Sequence, residues 1–184
     1  MLNLVKGMVI KQLDFNHFLL RFNHVLEQDR ALEGCLWSFE KNLIVLRQIQ
    51  EKENLVTVDL NYCDFYVDVH NLPQKMMNLV VATLIDSRLG KFCHMYAEGC
   101  LYGSSLRVRI GLDVTTLLTR AIPLWSTLGD ELVGHFTYER LPNLSYLCGR
   151  LGHIYKYCEL KFFLFVDLGK ALPYGPWMRE ALQS

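Results

Sequence analysis

The sequence predicts an α+β fold, because stretches that alternate like β-strands are interrupted by stretches with the period of an α-helix. The clearest strand is residues 65–73, in which apolar and polar side chains alternate until Pro73 ends the run. The clearest helix is residues 78–89, whose apolar side chains recur at helical spacing and which Gly90 closes. Of the 184 residues, 51% are hydrophobic, which is enough to bury a sizeable core.

The first fifty residues predict two strands, a helix and a further strand. The helix has a polar start signal at Asn23 and a stop signal at Gly34. The last of these strands is short and continuously apolar, which is typical of a buried strand. In order, the predicted elements cover residues 8–13, 17–22, 23–34 and 43–46.

Further strands follow the helix at 78–89. They are predicted at residues 91–96, 105–114, 121–125 and 131–138, the last two forming a hairpin. Arg107 and Arg109 lie two apart on one of them and therefore share a face. That face can be interpreted either as a phosphate-tracking surface or as a solvated sheet face.

Charge and cysteine usage restrict the function classes. Lys plus Arg equals Asp plus Glu at 19 each, so nucleic-acid binding must come from a local patch and not from an overall basic field. The six cysteines are scattered, which favours a reducing compartment and hence an intracellular protein of the nucleus or cytoplasm. No apolar stretch approaches the roughly 18 residues of a membrane span, and the start lacks a convincing signal peptide, so no membrane partner is expected.

The most informative segment spans residues 145–158, here called the knuckle segment. Cys148, His153 and Cys158 keep the last three positions of a Cys-x2-Cys-x4-His-x4-Cys pattern, which is typical of a zinc knuckle. Ser145 occupies the position of the first cysteine. The pattern predicts a possible zinc site that has lost one ligand, because a hydroxyl is a poor zinc ligand at neutral pH.

The surroundings of these four positions favour a nucleic-acid-binding loop. Gly149 and Gly152 allow the tight reversals that a knuckle needs. Aromatic side chains that stack on bases and cations that hold phosphates are interleaved with the ligands. The candidate nucleic-acid-binding residues are Tyr146, Arg150, Tyr155, Lys156 and Tyr157, with Arg140 and Lys161 on either side. On spacing alone, an irregular turn with incidental Cys and His is an equal alternative.

Several blocks carry a resemblance to a known family. They include Trp-Ser-Phe at residues 37–39, Phe-Tyr-Val-Asp-Val-His-Asn-Leu-Pro at 65–73, Leu-Gly-Lys-Phe at 89–92 and Tyr-Gly-Pro-Trp-Met-Arg at 174–179. Residues 106–115 and 138–142 resemble the lead-in to a knuckle. As a set, the blocks resemble the plant family in which domain of unknown function 4283 precedes a CCHC-type zinc knuckle, similar to the first-open-reading-frame product of LINE-type retrotransposons.

The resemblance implies an RRM-like sheet domain that lacks its first β-α unit, followed by further strands and a small zinc-knuckle-like module. The implied organisation is a truncated domain over residues 1–98, a strand lead-in with the degenerate knuckle over 104–160, and a tail over 161–184. The family binds nucleic acid, so the expected partner is RNA or single-stranded DNA, with zinc as the cofactor. Ser145 departs from the pattern, so only three ligands carry over.

The sequence offers little support for catalysis or for a second metal site. The sequence contains no Gly-rich phosphate loop, nucleophile elbow or His-Glu-x-x-His motif, so we expect no enzyme. We interpret His70 as a strand-end histidine bonded to nearby backbone, and Cys93, His94 and Cys100 as ordinary side chains and not a second metal site. Trp37, Trp125 and Trp177 are predicted to be core or interface anchors. The alternative function is protein interaction or self-association, or a decayed retroelement copy without metal or nucleic-acid binding.

Overall fold

A computed structural model describes residues 7–34, 36–55, 57–94, 105–125, 129–163 and 171–180. The strands are β1 Met8–Asp14, β2 His17–Phe22, β3 Trp37–Phe39, β4 Asn42–Ile44, β5 Tyr62–His70, β6 Lys91–His94, β7 Leu106–Asp113, β8 Ala121–Trp125 and β9 Glu131–Tyr138. The α-helices are α1 Val25–Glu33, α2 Leu79–Leu89 and α3 Leu160–Phe163, and 3-10 turns lie at Gln74–Met76, Tyr155–Tyr157 and Pro176–Met178. These elements confirm the predicted α+β class.

Five strands form the main sheet in the order β6-β7-β5-β9-β8, and every neighbouring pair is antiparallel. The central strand is β5, whose Phe65, Val67 and Val69 are fully buried, as the alternation predicted. Val67 pairs with Val108 on one side and with Tyr138 on the other. The sheet therefore has one apolar face that organises the core.

One hydrophobic core joins the sheet to the segments that follow it. Ala82 and Ile85 of α2 are buried in the same cluster as the inward side chains of β5 and β7. Leu144 lies directly before the knuckle segment and Met178 lies in the chain that follows it, and both belong to this cluster as well. The knuckle segment is thus positioned by the sheet, and its orientation relative to the strands is fixed by packing.

Residues 171–180, called the tail segment, dock on the last strand. Arg179 pairs with Tyr138 in a parallel bridge, and the Glu180 N–H donates to the Tyr138 carbonyl at 3.2 Å. The Arg179 guanidinium donates to the Leu141 carbonyl and, at 2.8 Å, to the Pro142 carbonyl. A charged donor on two carbonyls is a strong clamp, so the tail holds the chain where it leaves β9.

The N-terminal elements follow the prediction closely. β1 and β2 form an antiparallel hairpin, and α1 ends at Glu33 with Gly34 as its C-cap, next to the predicted stop. The helix N-cap is His24, whose Nδ1 accepts from the Leu26 N–H at 3.2 Å, and not Asn23 as predicted. An imidazole nitrogen here takes the role that a Ser, Asp or Asn oxygen usually has.

The predicted buried strand at residues 43–46 is wrong. Only Asn42–Ile44 is a strand, it pairs with Trp37–Phe39 alone, and Ile44 is exposed. Val45 and Leu46 continue as half-buried irregular chain. The physical reason is that a continuous apolar run is buried only where both faces of its sheet are covered, and the two-stranded β3–β4 sheet leaves Ile44 exposed.

The remaining strands and α2 confirm the prediction within a few residues. The predicted strand at 91–96 is observed as Lys91–His94, and its last two residues lie outside the described part of the chain. Within the described residues, no helix is both long and apolar enough to cross a membrane.

Candidate metal centre and nucleic-acid interface

The knuckle segment begins as a tight backbone loop. Leu144 and Leu151 form an antiparallel bridge, and the Ser145 N–H donates to the Arg150 carbonyl at 3.0 Å. Inside this loop the Gly149 N–H donates to the Ser145 carbonyl at 2.8 Å. Backbone hydrogen bonds therefore close the first part of the knuckle segment, between positions 145 and 150.

Two glycines provide the reversals that the spacing predicted. Gly149 has φ +74° and Gly152 has φ +88°, in the left-handed region that other residues enter only at a cost. They place Cys148 before the first reversal and His153 after the second. A 3-10 turn at Tyr155–Tyr157 then returns the chain, with the Cys158 N–H donating to the Tyr155 carbonyl at 3.2 Å.

The three predicted ligands converge. One ligand atom each of Cys148, His153 and Cys158 lies within 4.8 Å of the other two. The distance from Cys148 Sγ to His153 Nε2 is 3.4 Å. Two ligands bound to one tetrahedral zinc ion at about 2.0–2.3 Å are roughly 3.5 Å apart, so the spacing fits zinc.

Ser145, at the position of the missing first cysteine, lies beside Cys148 and Cys158. It is fully buried, and its Oγ accepts from the Cys148 N–H at 3.4 Å. Burial raises the pKa of the Cys158 thiol, but hydrogen bonds from Ser145, His153, the Leu160 backbone and Cys148 outweigh it and lower that pKa to about 7. The serine hydroxyl therefore supports the neighbouring thiolate, the form that binds metal.

The residues present thus fit a structural metal ion with three protein ligands. Zinc would be held by Cys148, His153 and Cys158, with the Ser145 hydroxyl or a water as fourth ligand, and it would brace the loop. Among the described residues no fourth His, Cys, Asp or Glu joins the group.

The comparison with protein families addresses the same segment. Residues 126–160 match the Zinc knuckle family. The match ends just after Cys158, so it includes the whole ligand set and the hairpin strand before it. No curated protein and no solved structure matched the chain.

Beyond the ligands, the knuckle presents two tyrosine–lysine pairs. Lys156 Nζ lies 5.3 Å from the ring centroid of Tyr157, and Lys161 Nζ lies 5.4 Å from that of Tyr155. Tyr157 is 67% exposed and both lysines are exposed. Ring and cation are thereby adjacent on one surface, which is the arrangement that stacking on a base and contact with its phosphate require.

The other predicted contacts are placed differently. Arg150 is exposed on the loop. The Tyr146 ring is partly buried and packs against the hydrophobic core. Arg140 is exposed, has φ +47°, and lines a separate cavity beside Tyr66 and Arg107. These side chains therefore do not form one continuous row.

Arg107 and Arg109 share one sheet face, as predicted, and both are in ion pairs. Arg107 pairs with Glu139, and Arg109 Nη2 lies 2.8 Å from Asp64 Oδ2. The guanidinium groups lie 4.1 Å and 5.9 Å from the ring centroid of Tyr66. This engagement favours the structural interpretation of the two arginines over phosphate tracking.

The structure also places the other side chains that the sequence analysis singled out. His70 ends β5 as predicted, but Nε2 lies 2.8 Å from the Thr137 hydroxyl and not on backbone. Trp37 is half-buried and donates to the Ala31 carbonyl at 2.6 Å, whereas Trp125 and Trp177 are exposed and are not core anchors. Cys100 and the side chains of Cys93 and His94 lie outside the described part of the chain.

Sequence reasoning missed how the tail segment meets the knuckle. The Tyr174 N–H donates to the Tyr146 carbonyl at 3.2 Å, and the Tyr174 ring lies against Gly149. Arg120, directly before β8, places its guanidinium 5.1 Å from the Tyr174 ring centroid. The Tyr-Gly-Pro-Trp block marks this segment in the sequence, but a local sequence pattern does not indicate which surface such a block packs against.

A second group of acidic residues was also missed. Oxygens of Asp68, Glu139 and Glu180 lie within 4.8 Å of one another, although the three residues are far apart in the sequence. Asp68 is buried, and its Oδ2 has no hydrogen-bond partner among the described residues. Arg107 pairs with Glu139 and so offsets part of the negative charge of the three carboxyl groups. The charge that is left makes this group a determinant of stability.

Proposed function

We propose that this chain is a single-stranded nucleic-acid-binding protein whose knuckle, braced by one zinc ion, provides the primary contact surface. The observation that carries the proposal is the convergence of Cys148, His153 and Cys158 inside a segment that matches the Zinc knuckle family. The proposal assigns the chain no catalytic activity. The ion's role is to fix the loop, and binding is done by side chains of the chain itself.

The exposed aromatic ring supplies the contact with the base. Tyr157 is held at the end of a 3-10 turn directly before a ligand, so bracing the loop also braces the ring. Stacking on an aromatic side chain contributes about 1–3 kcal/mol per base and tolerates any base. A single strand is favoured over a duplex because only its bases are free to leave their neighbours and stack on protein.

The cations supply a limited electrostatic contribution. Arg150, Lys156 and Lys161 are exposed on or beside the knuckle, while the chain as a whole is neutral. About three phosphate contacts give a slope of about −2 when the logarithm of the association constant is plotted against that of salt concentration. The expected binding is therefore local, modest and weakened by salt.

The test uses the full chain loaded with one equivalent of zinc. Fluorescence anisotropy of labelled RNA and DNA oligonucleotides, single-stranded and duplex, gives the affinity at several salt concentrations. We expect preference for single strands with the slope stated above. Binding that is independent of salt, or equal for single strands and duplexes, would contradict the proposal.

A second candidate function is self-association or protein interaction through the β1–β2 hairpin. Five large apolar side chains are exposed on this two-stranded unit: Val9, Ile10, Leu13, Phe15 and Phe18. An exposed apolar patch of this kind often marks an interface. Size-exclusion chromatography with light scattering separates the candidates, because a monomer that binds RNA argues against this one.

The wider resemblance stays a prediction. The match covers only residues 126–160, which are the knuckle segment and the strand before it. It does not test the resemblance of the preceding residues to domain of unknown function 4283, nor descent from a plant retrotransposon. The antiparallel sheet and flanking α2 are consistent with an RRM-like origin and support it only at the level of the α+β class.

A further inference from the structure

An open groove of about 980 Å³ lies where the tail segment meets β8 and β9. We call it the tail groove. Its lining combines an exposed indole, an arginine and two histidines, and it contains no Asp or Glu among the residues that the structure describes. Its lining includes Trp177, Arg120, His135 and Tyr174. In a chain with zero net charge, a cavity lined without carboxylates is suited to an anionic ligand.

Trp177 is a fixed exposed ring. It is 59% exposed, and it folds back over Gly175, where an added Cβ would lie 1.9 Å from Trp177 Cζ3. The next residue, Met178, is fully buried in the core, and Arg179 is clamped on two carbonyls. The indole is therefore held in place from both ends, so a planar ligand that stacks on it meets a preorganised surface.

Cationic and hydrogen-bonding groups flank this ring. Arg120 is exposed, donates to the Pro173 carbonyl and lies over Tyr174. His135 is exposed on β9 opposite His70 on β5. An arginine held by a carbonyl and an aromatic ring is a ready phosphate contact, and an imidazole can bond to a base edge.

The tail groove adjoins the knuckle directly. The Leu118 N–H donates to the Gly149 carbonyl at 2.9 Å, and Tyr174, which lines the groove, lies against the same glycine. The tail groove and the knuckle segment therefore meet at Gly149, the residue directly after Cys148. This shared contact places the groove beside the knuckle segment.

We propose that the tail groove holds one unpaired nucleobase of the strand bound at the knuckle, stacked on Trp177, with Arg120 on a phosphate of that strand. This inference rests on the proposed function and adds a second contact site outside the knuckle. A base within a duplex is excluded, because both its faces are already stacked.

The test compares two exposed tryptophans in the zinc-loaded full chain. Trp125 is 56% exposed and lies outside the groove, so Trp125→Ala is the matched control for Trp177→Ala. We expect Trp177→Ala to weaken binding of a labelled single-stranded oligonucleotide about tenfold and Trp125→Ala to leave it unchanged. Equal effects of the two substitutions would overturn the inference.

Fluorescence of the unaltered ring gives an independent readout. Stacking of a base on Trp177 quenches its emission, so oligonucleotide should quench the wild type and Trp125→Phe but much less Trp177→Phe. Undiminished quenching in Trp177→Phe overturns the groove site. If the Trp177 substitutions leave binding and quenching unchanged while Tyr157→Ala still weakens binding, the groove site is wrong and the proposed function stands. If the wild type binds no oligonucleotide at all, both fail.

Discussion

The ring of Tyr174 occupies the space that a side chain at position 149 would need. A Cβ built on Gly149 would lie 2.1 Å from Tyr174 Cζ, well inside contact distance, and Gly149 already has a positive φ. The glycine directly after the candidate ligand Cys148 thus serves two purposes: it turns the loop and it receives the tail. The knuckle is accordingly built into the fold on two sides, by the sheet and by the tail segment.

Gly149→Ala should destabilise the protein by about 2–4 kcal/mol, because it adds a steric clash with Tyr174 to the backbone strain. Gly152→Ala is the matched control, since Gly152 has a similar φ of +88° but no atom within 4 Å of an added Cβ. It should cost only the strain, about 1–2 kcal/mol. Denaturant unfolding of both variants measures the difference, and equal losses would show that Tyr174 does not dock on Gly149.

The prediction from sequence succeeded where the signal was local. Alternation in residues 65–73 gave the central strand, and Cys148, His153 and Cys158 came together as their spacing predicted. It failed where the answer depended on distant neighbours. The apolar run at 43–46 begins in a two-stranded sheet that leaves Ile44 exposed, and Trp177 is held outside the core by its own tail.

Ser145→Cys should raise zinc affinity by at least about 100-fold, because a fourth thiolate completes the tetrahedral site. Ser145→Ala should lower it, since the hydroxyl bonded to the Cys158 thiol is lost. Competition with a chromophoric chelator gives both affinities, and Cys148→Ser defines the background from cysteines elsewhere. If Ser145→Cys binds zinc no better than the wild type, position 145 is not the fourth corner.

Tyr157→Ala should weaken binding of a single-stranded oligonucleotide by about 10-fold, the loss of one stacked base. Tyr62→Ala is the control, because Tyr62 is also an exposed tyrosine but lies on β5, outside the knuckle. Anisotropy titrations on zinc-loaded protein provide the comparison. A result in which both substitutions have the same effect would remove Tyr157 from the interface.

Asp68→Asn should stabilise the protein near neutral pH by about 1–2 kcal/mol. Burial raises the pKa of the Asp68 carboxyl, Glu139 raises it further, and a hydrogen bond from Ser105 together with His70 and Arg107 opposes the increase. The pKa of Glu180 is also raised, by burial and by Asp68 and Glu139. An amide keeps the Ser105 bond and removes the buried charge.

The pH dependence has a definite sign. The folded-state pKa of Asp68 lies above its unfolded value, so its contribution to stability is fully present below the unfolded pKa and is lost as pH rises through the folded one. Wild type and Asp68→Asn should therefore differ most near neutral pH and converge under acid conditions. Thermal unfolding across this range measures the trend, with Asp29→Asn on the exposed side of α1 as control. A constant difference at all pH values would show that the pKa of Asp68 is the same in the folded and unfolded states.

The most direct test of the account is the affinity of one preparation for a labelled single-stranded RNA before and after zinc removal, with the zinc content measured alongside. We expect one zinc per chain, salt-dependent binding in its presence, and at least about tenfold weaker binding after chelation, restored when zinc is returned. Unchanged affinity in the zinc-free chain, or no binding in either state, would contradict the claim that a zinc-braced knuckle is the nucleic-acid interface.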